Sequence, residues 1–257
     1  MKLSKRSEIK ALLDRKVDEY NRSSFIETDP ISIPHQFTDP LDQEIAGFFA
    51  ATFSWGNRTT IIRKSQELME MMGNAPSEFV RHAGPTDLRS LSTFKHRTFN
   101  STDLLYILDF MRRHYAENSS LQVFFQGKDV RTGLVAMHNA FFEADYAPQR
   151  SRKHIGSPER GSACKRLNMY LRWMVRKDEG GVDLGIWDQP DRSRLMVPLD
   201  VHVHRIALKL GLMKRKIADW RACEELTATL RTFDPSDPVK YDYALFMLGI
   251  EQKNASG

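Results

Sequence analysis

Apolar residues along this chain recur mainly at three- and four-residue spacing, the period of an amphipathic helix. That spacing predicts helices over Ser4–Tyr20, Asp42–Phe53, Thr59–Met72, Ser77–His82, Ser101–Tyr115, Ser120–Phe125, Val130–Phe142 and Ser162–Lys177. Three more follow: one begun by Asp200, one over Asp219–Leu230 and a last over Asp237–Leu248. Asp42–Phe53 is apolar almost all round, so it belongs in a core. Gly73 and Gly211 stand just past the last apolar position, where helices stop. Asp237-Pro238 reads as a start, a cap followed by proline at the first helical position. No pair of segments reads as paired strands, and no repeat or low-complexity tract interrupts the series. The predicted fold class is all-α.

One stretch, VPLDVHVHRIALKLGL from Val197 to Leu212, poses a choice. On a strand His202 and His204 would share a face and both reach one metal ion; on a helix they diverge by about 200°. Val203, Ile206, Ala207 and Leu210 follow the helical stripe, so the helix is the reading and no metal site is expected. Asp200 is then its N-cap, accepting from the first unpaired N–H groups. The helix dipole also favours a negative charge there.

Composition narrows the class. The chain has 257 residues, 41% hydrophobic and 28% charged, which is ordinary for a globular protein. The start, MKLSKRSEIK, leads into charged helical sequence rather than a secretory leader. No apolar run approaches the ~18 residues of a membrane span. Two cysteines, Cys164 and Cys223, are too few for a cluster or a structural zinc, so a reducing cytoplasm and no cofactor are expected. Phosphate-binding loops and the G-x-S-x-G elbow are absent from the sequence.

Charge is unevenly placed. The net charge is +5, but Gln149–Lys177 holds nine Lys/Arg and one acid, so the remainder sums to −3. Such clustering suits a polyanion, nucleic acid first. Within it lies GSACKRLNMYLRWMVRK, from Gly161 to Lys177. With Ser162 as N-cap, Lys165 falls in the first turn, where the dipole and neighbouring cations favour the neutral, nucleophilic amine. A lysine at that position also fits a simple phosphate contact or a solvated side chain.

A first-turn lysine upstream of an aspartate cap, in a basic helical chain, resembles the helix–hairpin–helix DNA glycosylase superfamily. VPLDVHVHR is similar to that family's V-D-T-H-V/I-x-R motif at Asp200, His202 and Arg205, with Val201 in place of the threonine. Cys164-Lys165-Arg166 stands where the bifunctional members carry their lysine nucleophile, and YALFMLGI resembles the closing L-x-x-L-G-R helix. EIAGFFAATFSWGNRTTIIRK resembles an apolar helix followed by a minor-groove turn, which would make Asn57 and Arg58 DNA contacts. The pattern also departs from the family. HIGSPERGS lacks the L-P-G-h-G glycines, Lys165 and Asp200 lie 35 residues apart, and no terminal cysteine cluster occurs. The chain further resembles an uncharacterised bacterial family sharing KRLNMYLRWMVR and PLDVHVHR.

The resemblance implies one all-α unit over 1–257, a helical bundle of two lobes with a cleft between them. One lobe would comprise the chain ends, roughly 1–50 and 215–257. The other would comprise roughly 51–214, with the hairpin-like segment 154–177. It implies a glycosylase, with lyase activity, that flips a damaged base out of DNA. Asp200 would stabilise charge developing on the sugar, and Lys165 would attack it. Arg160, Arg166, Arg172, Arg176, His202 and Arg205 would hold the nucleic acid with Asn57 and Arg58, and Trp187 would line the base pocket. Two alternatives stay open: a helical module that binds DNA or RNA without catalysis, and an unrelated protein that uses the two histidines for metal. No obligate protein partner and no membrane contact is expected.

Overall fold

The computed structural model describes residues 3–254. Its α-helices are α1 (Leu3–Tyr20), α2 (Pro40–Phe53), α3 (Arg58–Met71), α4 (Pro76–His82), α5 (Pro85–Ser90), α6 (Ser101–Glu117), α7 (Val130–Phe141), α8 (Lys165–Val175), α9 (Val201–Leu210), α10 (Trp220–Arg231) and α11 (Tyr241–Asn254). Among the described residues the one sheet is a hairpin of β1 (Lys95–His96) and β2 (Phe99–Asn100). The protein is all-α.

Local chemistry sets most of the starts. Asp39 accepts from the Leu41 and Asp42 N–H groups ahead of α2, with Pro40 at its first position. Asn100 and Asp103 form a reciprocal capping box on α6. Asp219 caps α10 through the Ala222 N–H. Three expectations need correction. Ser120–Phe125 is a single 3-10 turn, Leu121–Phe124, too short for a helix. Asp237-Pro238 opens a 3-10 turn, Pro238–Lys240, and α11 starts only at Tyr241. The short hairpin and α5 were not anticipated, because two-residue strands and a six-residue helix carry no readable period.

The chain forms two compact units. Unit 1 holds the described residues up to Phe25 and from Ser157 onward; unit 2 is Ile26–Gly156. In unit 1, α11 packs along α1 and α9. In unit 2, α2 packs on α3 and α4, and α4 on α6, around buried rings that include Phe48, Phe49, Phe53, Phe99 and Phe141. This division differs from the expected lobes. The buried helix α2 belongs with the middle of the chain, since its apolar surface is covered by α3 and α4. The segment from 157 to 214 belongs with the chain ends, since α9 packs on α11 and α8 is joined to α11 by an ion pair. Among the described residues no helix is long and apolar enough to cross a membrane.

Candidate functional site

The site lies in unit 1, where three helix starts supply its charged groups. Asp200 caps α9 as expected: its carboxylate accepts from the His202 N–H at 2.8 Å and the Val203 N–H at 2.9 Å. Val203, Ile206 and Ala207 are buried, and Gly211 ends the helix with φ +72°. Next to the cap, Val201 is 72% exposed, an uncovered apolar side chain beside a fixed carboxylate.

Lys165 is the first residue of α8 and half-buried. The helix starts later than the sequence suggested. Cys164, not Ser162, is the N-cap, and it sits in the left-handed region with φ +49°. Ser162 instead accepts from the Cys164 N–H at 3.0 Å and holds that bend. The cysteine thiol is buried and free, and burial pushes its ionisation up to about 12, so the neighbouring thiol stays protonated.

The third group was not singled out from sequence. Asp242, in the first turn of α11, is buried and ion-paired with Arg172 of α8. Burial raises its carboxyl to about 7; Arg172 opposes the rise, Asp200 adds to it and Lys165 opposes it. The Arg172–Asp242 pair joins α8, which Lys165 begins, to the first turn of α11. The signal in the sequence was an acid at the head of an apolar run, DYALFMLGI, where a charge has to be partnered inside.

Arg172 and Arg176 are not surface cations. Both are buried, Arg172 within α8 and Arg176 as the residue that caps its end. Arg172 pairs with Asp183 at 3.2 Å and with Asp242. Arg176 pairs with Asp183 at 3.0 Å, with Asp237 at 2.9 Å and with Asp178. Burial works against the Arg176 charge, but Asp183 and Asp237 outweigh it and raise its ionisation overall. Their expected role as nucleic-acid contacts is corrected: carboxylates inside the fold already occupy both guanidinium groups. Asp237 is likewise a partner of Arg176 rather than the helix cap it resembled.

Trp187 is also corrected. It is 5% exposed, stands edge-on to Tyr170 with centroids 5.4 Å apart, and is tied to α8 by its backbone N–H on the Met174 carbonyl. A tryptophan under α8 is core, not the wall of an open base pocket.

The remaining candidates keep accessible surface. Arg160 is exposed and Arg166 half-buried, with burial lowering the Arg166 ionisation to about 10, still charged at neutral pH. Arg205 is exposed and donates to the Gly249 carbonyl at 3.3 Å. His202 is half-buried, with Nδ1 enclosed and unpaired, while His204 Nε2 meets the Arg215 carbonyl at 2.9 Å. The two rings serve different surroundings, and among the described residues no three His, Cys, Asp or Glu side chains gather as a metal site. In unit 2, Asn57 is exposed and caps α3 through the Thr60 N–H at 3.1 Å, with Arg58 following as its first residue.

Residues 29–251 match the model of a family described as a protein of unknown function, DUF2400, and the chain belongs to that family. No curated protein and no solved structure matches it.

Proposed function

We propose that this chain is a DNA glycosylase with lyase activity, with Lys165 as nucleophile and Asp200 as the charge-stabilising carboxylate. One observation carries the reading: Asp200 is held at the start of α9 by the His202 and Val203 N–H groups at 2.8 and 2.9 Å, in the same compact unit as Lys165, the half-buried first residue of α8. The similarity of VPLDVHVHR to the glycosylase motif supports it. In the reaction, the bond from the sugar C1′ to the base breaks and its electrons leave with the base, which takes up a proton. Positive charge builds on the sugar, facing the Asp200 carboxylate. The Lys165 amine bonds to C1′ and gives a proton to the departed base; the C1′–O4′ bond then breaks, O4′ takes a proton from solvent, and the protonated Schiff base loses a C2′ proton as its C3′–O bond breaks and the 3′ phosphate leaves. Asp200 is fixed for this role because two backbone N–H groups hold it, so no reorganisation is needed when charge develops.

The test is base release from a panel of duplexes that each carry one lesion. Wild-type protein is expected to release at least one base and nick the strand. Asp200→Asn should abolish both while leaving the helix capped. Lys165→Gln should abolish nicking and keep DNA affinity within about threefold. Wild-type protein that releases no base while binding the same duplexes would favour a module that binds nucleic acid without catalysis, a reading to which Val201, exposed beside Asp200 where the motif carries threonine, also points.

A further inference from the structure

Unit 2 is close to neutral overall, with 14 Lys/Arg and 15 Asp/Glu between residues 26 and 156. Those charges are not mixed. Three stretches, 54–66, 91–102 and 146–156, hold eight of the cations and none of the acids. The fold brings them together. The Arg97 guanidinium lies so close over Gly56 that a Cβ there would come within 2.3 Å of it. Arg150 donates to the Thr98 carbonyl at 2.9 Å and pairs with the buried Asp103 at 3.4 Å, so it ties the third stretch to the hairpin. The Trp55 ring meets His96 at 4.8 Å and His154 at 5.7 Å between centroids. Burial first, then the charges of Arg97 and Lys64, lower the ionisation of His96, so that ring stays neutral while its surroundings are positive.

Arg97 carries a second mark. It occupies the left-handed region, φ +55°, at the tip of a two-residue hairpin loop where glycine or asparagine is usual. An exposed arginine held there places its charge against the SWGN turn. Lys95, in the same hairpin, is exposed, and Trp55 is half-buried. Cations around an aromatic ring form the surface that tracks a phosphodiester backbone while a base stacks.

We propose that this face of unit 2 binds a single nucleic-acid strand, with Lys95 and Arg97 on phosphates and an unpaired base against Trp55. The inference rests on the nucleic-acid part of the proposed function and not on its chemistry. Trp55 also makes the test possible. The other three tryptophans, Trp173, Trp187 and Trp220, are buried, so quenching of intrinsic fluorescence by a strand reports on Trp55.

The full-length protein is titrated with twelve-residue oligo-dT, oligo-rU and a duplex, at several salt concentrations. The single strands are expected to quench fluorescence and the duplex to quench much less. The tighter of dT and rU identifies whether DNA or RNA is the natural source. Affinity should fall steeply with salt. Lys95→Glu combined with Arg97→Gln should weaken binding at least tenfold and lower the salt slope by about one for each phosphate no longer held. Trp55→Phe should remove the quench and leave weakened binding measurable with a labelled strand. No quench with either strand, equal quench with the duplex, or full affinity in the double variant would overturn the proposal, provided thermal melting shows the variants folded. The two readings fail separately. A quench without base release from any lesion duplex removes the enzyme and keeps the surface. Base release with full affinity in the double variant does the reverse.

Discussion

Asp200 does two jobs at the residue scale, and substitution separates them. Asp200→Ala removes an acceptor for two N–H groups and should cost about 1 kcal/mol in thermal or denaturant unfolding. Asp200→Asn keeps an acceptor and should cost about 0.5 kcal/mol or less. If Asn costs as much as Ala, the cap assignment is wrong. Asp242 makes a prediction in pH. Its carboxyl is raised to about 7 in the folded chain, against about 3.9 unfolded. The folded state therefore binds the extra proton between those values, and this contribution to stability, complete below pH ~4, is lost as pH rises through 7. Asp242→Asn has no such proton to bind. The stability gap between wild type and variant should change steadily from pH 4 to 7 and then level off. A constant gap would mean that Asp242 is ionised throughout. Asp200 was legible in the sequence because a cap acts on its own next residues. For Asp242 the sequence shows only an acid at the head of an apolar run; its partner Arg172, 70 residues away, is set by the fold.

At the element scale, α8 explains where sequence reading ran out. The period gave the helix and its apolar stripe. It also left Arg172 and Arg176, one turn apart, to be read as a solvated basic face. Their partners Asp178, Asp183, Asp237 and Asp242 lie in a loop and at the start of another helix, out of reach of any helical spacing rule. The reading erred because a cation and its counter-charge need not be neighbours in sequence. Arg176→Met should cost roughly 3–5 kcal/mol, since it leaves buried carboxylates without their cation. A loss under about 1 kcal/mol would mark the network as dispensable. The contact of α9 with α11 is as tight. A Cβ on Gly249 would come within 2.9 Å of the His202 Cβ, so Gly249→Ala has to push the helices apart. Overpacking of this kind costs about 1–3 kcal/mol. Neutral or stabilising behaviour in a melting experiment would contradict the close approach.

At the scale of the whole molecule, the sequence conveyed the all-α class and the excess of positive charge, and it misplaced the division of the chain. Units built from distant segments leave no boundary in composition. The interactions that hold residues 157–214 to the chain ends are ion pairs and helix faces that exist only in the fold. Removing Arg172 and Arg176 from the surface also changes the electrostatic account. Salt-sensitive DNA affinity should depend on exposed cations such as Arg160, and Arg160→Gln should lower the log K against log salt slope by about one. The central claim remains that Lys165 attacks a sugar while Asp200 steadies it. It is tested most directly by treating the protein with borohydride in the presence of lesion duplexes and locating the adduct by peptide mass spectrometry. The account predicts one covalent adduct per chain, on Lys165, lost in Lys165→Gln and in Asp200→Asn. No adduct across a broad lesion panel, or an adduct on a different lysine that persists in Lys165→Gln, would contradict it.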